Sequence, residues 1–224
     1  MRTAFSTPVP RSARKPNYMP TAKKNRAELS DETLARIRTT AFRLFGRHGF
    51  DGVSMQDIAS ATGLTKAGLY WHFRDKDALY ADCVQQLHEL YYRYVFGPMA
   101  LAEDSLQALH LLFDGMRKLV HDPSIAEGGA GYWMNPGTQD LPAVRQARAD
   151  FEHKSAKLIE RILADGVRAG VLRFASPLDA MARSLLLLLE AAVVPLGVHG
   201  PQRTAEVLDP LAQTLFAAHV VHGA

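Results

Sequence analysis

Gly63 to Phe73 reads GLTKAGLYWHF, and it gathers side chains suited to gripping a polyanion. Lys66 carries an ammonium that can reach a phosphate or a guanine edge. Tyr70, Trp71 and His72 add flat rings with hydrogen-bonding tips. In so short a helix only Leu69 and Phe73, four residues apart, can face a core. Lys66, Ala67, Tyr70 and Trp71 are therefore left facing outward, with Gly68 between them. Glycine in a helix costs ~1 kcal/mol relative to alanine, a cost that makes sense where backbone must approach a partner closely. Tyr70 and His72 could equally be packing residues between helices, and Trp71 could be merely exposed.

These groups need elements to hold them. Ser54 with Asp57 three residues on (SMQD) forms a capping-box pattern opening a helix over Met55 to Thr62. The start of that helix, Ser54 and Met55, is expected to offer free backbone N–H groups to a phosphate. Gly63 supplies a turn that tolerates positive φ. Thr65 caps the next helix, and Asp75 caps a third that runs from about Lys76 to Phe96 and ends before Gly97-Pro98. Ala59, Gly63 and Leu69 stand at relative positions one, five and eleven, which is helix-turn-helix spacing. The small alanine lets two helices cross, the glycine turns the chain, and the leucine plugs the second helix onto the first.

Charge points the same way. Residues 1–80 hold 14 Lys and Arg against 7 Asp and Glu, while residues 81–224 hold 12 against 16. A basic front on an acidic body suits a chain whose front meets nucleic acid. Residues 1–29 read as an unstructured basic arm with four prolines and seven basic residues, or as an extension upstream of a true start at Met19. The single cysteine, Cys83, fits a reducing cytoplasm. The apolar run at 185–198 is interrupted by Glu190 and Pro195, so it reads as buried helix and not as a membrane span. No glycine-rich phosphate loop, nucleophile elbow or close carboxylate pair is present, which argues against an enzyme and against a bound cofactor. The nine histidines show no metal-ligand spacing, and His219 and His222 lie at the chain's end.

Elsewhere the pattern stays helical. Leu34, Ile37, Ala41, Leu44 and Phe45 form one stripe; Leu106, Leu109, Phe113, Met116 and Val120 form another. A Gly- and Pro-rich loop covers 127–140, a long helix spans 141–169, and Ser176-Pro177 opens the next. The final segment, 204–220, either kinks at Pro210 or starts at Asp209. With no alternating strand pattern, the fold class is all-α: a three-helix DNA-binding domain over 30–80, linked by the helix 76–96 to a larger helical domain over 90–224.

The segment FGRHGFDGVSMQDIASATGLTKAGLYWHFRDKDAL, residues 45–79, resembles the N-terminal domain of TetR-family transcriptional regulators. Phe45, Gly49, Phe50, the Ser54-capped Asp57-Ile58-Ala59 helix, Gly63, Thr65, Leu69-Tyr70, His72-Phe73 and Lys76-Asp77-x-Leu79 all match. Position 68 often carries Thr or Ser in that family, so one base-reading side chain is missing here. The resemblance implies that Tyr70 and His72 contact phosphates and that Lys76 anchors another.

For the remainder it implies effector binding and dimerisation, the last two helices of each subunit forming a four-helix bundle. Met181, Leu185, Leu188 and Ala192 on one stripe, and Leu208, Leu211 and Leu215 on another, are the candidate interface, although both could pack only within the monomer. Tyr91, His110, Phe113, Met116, Arg117, Tyr132 and Trp133 mix apolar bulk with polar groups and are the candidate effector pocket, although each could be simple core. The expected protein is a cytoplasmic homodimer that binds a palindromic DNA operator and a small-molecule effector, without a membrane partner. The alternatives are an architectural DNA-binding protein that senses nothing, or a helical enzyme with an unrecognised site.

Overall fold

Helix follows helix along this chain because apolar residues recur every three or four positions, and polar side chains cap α2, α3, α4 and α6. The computed structural model describes residues 26–128, 132 and 140–221. The arm expected over 1–29 falls outside these residues up to 25. From Arg26 the chain is already helical, so the boundary moves into the predicted arm.

Helix α1 (Arg26–His48) buries Ile37, Ala41, Phe42 and Phe45 along one stripe. Two short helices follow, α2 (Met55–Thr62) and α3 (Lys66–His72), and then α4 (Lys76–Tyr91), whose cap Asp75 accepts from the Ala78 N–H at 2.7 Å. The expected stop before Gly97-Pro98 does not occur. Tyr92–Phe96 form a widened π turn, and α5 (Gly97–Ala100) continues the path. The Gly97 N–H reaches back five residues to the Tyr92 carbonyl. Widening the turn there lets Pro98, which has no N–H, sit at the start of α5 without breaking the helical course.

The larger half contains α6 (Ser105–Val120), α7 (Pro123–Gly128), α8 (Pro142–Arg168), α9 (Leu178–Val193), α10 (Leu196–Glu206) and α11 (Leu208–His219). The segment predicted over 204–220 is thus two helices meeting at Val207. Pro210 sits third in α11, where a missing N–H leaves no helical bond unmade. Among the described residues the sole β pairing is an isolated antiparallel bridge between Leu172 and Val220, which ties the end of α11 to the loop after α8. No helix among them is long and apolar enough to cross a membrane.

Two contacts lock the small half onto the large one. Helix α7 lies so close to α1 that a Cβ on Gly46 would fall 2.0 Å from the Gly128 carbonyl oxygen, a distance no side chain permits. Beside it, Arg47 donates to the Glu127 carbonyl at 2.9 Å. The second contact is Tyr132. Its ring stacks on Phe42 of α1 and Tyr80 of α4, its hydroxyl donates to the Phe42 carbonyl at 2.9 Å, and its own carbonyl accepts from Arg148 of α8 at 2.8 Å. Cys83 lies buried nearby, and burial pushes its thiol far above the ordinary range, which makes it a poor redox sensor.

Candidate nucleic-acid interface

The small half exposes its chemistry because its caps are satisfied locally. The Ser54 N–H donates to Asp57 Oδ2 at 2.8 Å, and the Asp57 N–H donates to Ser54 Oγ at 3.2 Å, the reciprocal box that opens α2. The Ser54 hydroxyl and N–H bonds hold the Asp57 carboxyl below its usual range. Gly63 then takes the left-handed conformation (φ 71°, ψ 21°), and the Leu64 N–H reaches the Ala59 carbonyl at 2.9 Å. Thr65 Oγ1 accepts from the Gly68 N–H at 3.0 Å and starts α3. Ile58, Ala59 and Leu69 are fully buried, and Phe73 is nearly so, which fixes α3 on α2.

What α3 leaves outside is Lys66, Ala67, Tyr70 and Trp71, the last 76% exposed; His72 is half-buried, its ring edge-on to Trp71 at 4.7 Å. A Cβ at Gly68 would meet only Thr65 Oγ1, at 3.2 Å, so nothing across the domain requires glycine there. The glycine is thus an opening on the outer face of the helix. Ser54 and Thr65 are exposed at the two helix starts.

Two predicted site residues turn their side chains inward. Met55 is only 6% exposed, because the first residue of α2 turns its side chain into the core; only its backbone remains as a possible contact. Lys76 is half-buried: its ammonium donates to the Phe50 carbonyl at 3.0 Å and sits 4.0 Å over the Phe50 ring. That pairing ties the start of α4 to the turn before α2 and takes the charge away from the surface. One cation was overlooked. Arg74, directly after Phe73, has an 81% exposed side chain and pairs with its neighbour Asp75 at 2.9 Å. Its signal was in plain view, a basic residue flanking the recognition segment.

The predicted effector residues do not converge. Tyr91 is buried against Phe96 and Phe151, Tyr132 bridges the two halves, and Trp133 lies outside the described residues. Phe113 and exposed His110 both meet the Phe216 ring, Met116 is core, and Arg117 pairs with Asp209 at 2.6 Å. The residues lie on separate elements, Tyr91 on α4, His110, Phe113, Met116 and Arg117 on α6, and Tyr132 after α7, and they pack against different neighbours. The predicted interface is also split. Leu185 and Leu208 are buried within the monomer, whereas Leu188 is exposed and Met181, Ala192, Leu211 and Leu215 are half-buried. Met181, Leu185, Leu188, Leu211 and Leu215 line an apolar groove of about 220 Å³ between α9 and α11.

A capped helix pair with a cationic, aromatic outer face, set on an all-helical body, defines a helix-turn-helix DNA-binding regulator. Residues 37–83 match the family model of bacterial regulatory proteins, tetR family. The transcriptional regulator ArpR of Pseudomonas putida is 30% identical over 150 residues, 65% of this chain and 70% of ArpR. AcrR of Shigella flexneri is 39% identical over 61 residues, which span 27% of this chain and 28% of AcrR. The fold is that of AibR, solved with isovaleryl coenzyme A and operator DNA: TM-score 0.68 at 23% identity, covering 82% of this chain and 98% of AibR. The chain belongs to the tetR family of bacterial regulatory proteins.

Proposed function

We propose that this chain is a homodimeric transcriptional repressor in the cytoplasm, released from a palindromic operator by a small molecule bound in its larger half. The observation that carries the reading is the outer face of α3, where Lys66, Tyr70 and Trp71 stand free around an open Gly68. In this reading α3 enters the major groove, Gly68 lets the backbone approach closely, and Lys66 reads a phosphate or a guanine edge. Tyr70, His72 and Arg74 contact flanking phosphates, and the exposed starts of α2 and α3, at Ser54 and Thr65, offer further contacts.

Two copies pair through α9 and α11, where Leu188 and the half-buried Met181, Leu211 and Leu215 form a continuous apolar strip. Effector binding changes the separation of the two α3 helices, and because half-sites demand a fixed spacing, a small change releases DNA. AibR, crystallised with a small molecule and operator DNA, supports the pairing of the two functions on this fold. No catalytic step belongs to this reading. The test is a binding titration of the purified protein on its own upstream DNA at ~0.15 M salt. A specific complex of two chains per operator is expected; equal affinity for unrelated DNA, or a monomer in solution, would overturn the reading.

A further inference from the structure

Between α8 and α9 lies a cleft of about 510 Å³, a volume in the range of small-molecule sites. Its floor is apolar, with Ala149, Ala156 and Leu186, and on its rim Leu187 stands 65% exposed. The rim's cations are taken: Lys157 pairs with Glu160 at 2.9 Å, and Arg183 with Asp179 at 2.6 Å. Two carboxylates in the wall remain, Glu152 and Glu190, and among the described residues neither is held in an ion pair.

Glu190 is the unusual one. Its Oε1 is buried without a hydrogen-bond partner, and a buried carboxylate oxygen left so is destabilising unless the group holds a proton or a cation comes beside it. Burial and the neighbouring Glu152 push its carboxyl up to about 7, against a weaker opposing pull from Arg148. His153 completes the polar wall and is exposed. Among the described residues no three His, Cys, Asp or Glu side chains gather as metal ligands, so a compact metal ion is not the fitting guest. The pair of carboxylates suits a bulky cation whose apolar part can cover the exposed leucine.

We propose that this cleft binds an organic cation with an apolar tail, such as an alkylammonium, its head between Glu152 and Glu190 and its tail on Leu186 and Leu187. The site names a ligand class for the larger half and rests on the ligand-responsive reading above. A cation wedged between α8 and α9 shifts the helix that carries the proposed dimer strip, which links occupancy to operator spacing.

The experiment is calorimetric titration of the full chain with octyltrimethylammonium, with octanesulfonate as the control of the same tail and opposite charge. One site per chain for the cation and none for the sulfonate is expected, with affinity falling at least about tenfold in Glu152→Gln/Glu190→Gln. Retained operator binding by that variant without ligand shows that it is folded. Equal binding of both amphiphiles, unchanged affinity in the folded variant, or no cation binding at millimolar concentration would overturn the site. Operator release is read separately by anisotropy. A cation that binds through both glutamates yet leaves operator affinity unchanged upholds the site and removes it from the repression mechanism. Failure to bind operator at all breaks the regulator reading while leaving the site to the calorimetry.

Discussion

Both halves of the molecule cap helices with side-chain oxygens, as Asp104 does for α6, but they differ in whether every buried polar side chain finds a partner. In the small half, Ser54, Thr65 and Asp75 each spend a side-chain oxygen on a helix start, and Thr62 returns its hydroxyl to the Ile58 carbonyl at 2.7 Å. In the larger half, Tyr92 Oη, Ser155 Oγ and Glu190 Oε1 are buried with no partner, and on the linking helix α4 His88 is sealed beneath Phe151 of α8 at 4.2 Å. Among the described residues every buried side-chain atom lacking a partner lies beyond residue 90. The contrast separates a surface built to one fixed shape from an interior that keeps unmet polarity for something else to satisfy. A reading head must hold its geometry before DNA arrives. A sensing body gains by being improved when its ligand arrives.

The strongest way to break this contrast is to loosen the small half. Leu69→Ala removes a fully buried plug and is expected to lower stability by about 2–5 kcal/mol, with loss of specific operator binding. Denaturant melts and anisotropy check it; a small loss would mean that α3 is not rigidly docked.

Next in size are the buried titratable groups of the larger half and of the linking helix α4. Burial, and then Arg148, push His88 down to about 4, from about 6.5 in the unfolded chain. The unfolded state therefore binds the extra proton between those values, and stability falls as pH drops from 6.5 to 4, by roughly 2–3 kcal/mol. Glu190 slopes the other way. Its raised carboxyl holds a proton in the folded state up to about 7, so the associated stability is present below about 4.5 and is lost as pH climbs through 7. Melts across pH should show His88→Gln flattening the acid limb and Glu190→Gln raising stability only at the alkaline end.

Then comes Lys66. Lys66→Ala should weaken operator binding by about 1–3 kcal/mol if it reads a base, with altered base preference, and less, uniformly over sequences, if it only touches phosphate. Lys76→Ala, whose ammonium is held by Phe50, should instead lower stability more than it changes the salt dependence of binding.

The smallest effects make the sharpest comparison, since one substitution is expected to have opposite signs in the two halves. Ser54→Ala removes a capping box and should cost about 1 kcal/mol. Ser155→Ala removes a buried hydroxyl with no partner and should leave stability unchanged or raise it. Equal losses at both would show that Ser155 is satisfied in solution and that the contrast is weaker than drawn.

The same division explains what the sequence revealed. Helix starts, the Gly63 turn and the Ala59-Gly63-Leu69 spacing are local devices, so the small half and the all-α class could be read directly from residue types. The burial of the Met55 side chain and the Lys76–Phe50 contact were not legible within that half, because the core and Phe50 are set by tertiary packing. In the larger half almost nothing local marks function. Tyr91, His110 and Tyr132 belong to separate elements, and only the packing of those elements decides which neighbours each one meets. Glu190 stood out in the sequence only as a charge interrupting an apolar run; its burial beside Glu152 depends on how α8 and α9 align. The π turn before Pro98 was hidden for the same reason, since a proline usually ends a helix and here a widened turn absorbs it.

The paired glycines at Gly46 and Gly128 have a consequence for exchange between proteins. Where the Gly46 backbone meets the Gly128 carbonyl with no room for a methyl group on α1, the first helix cannot be replaced by one chosen for charge or hydrophobicity alone. A reading head transplanted from a relative would mate with this body only if it brought its own glycine to the same spot on its first helix. Recombination across this joint is therefore filtered by shape, and the two halves are constrained to change together.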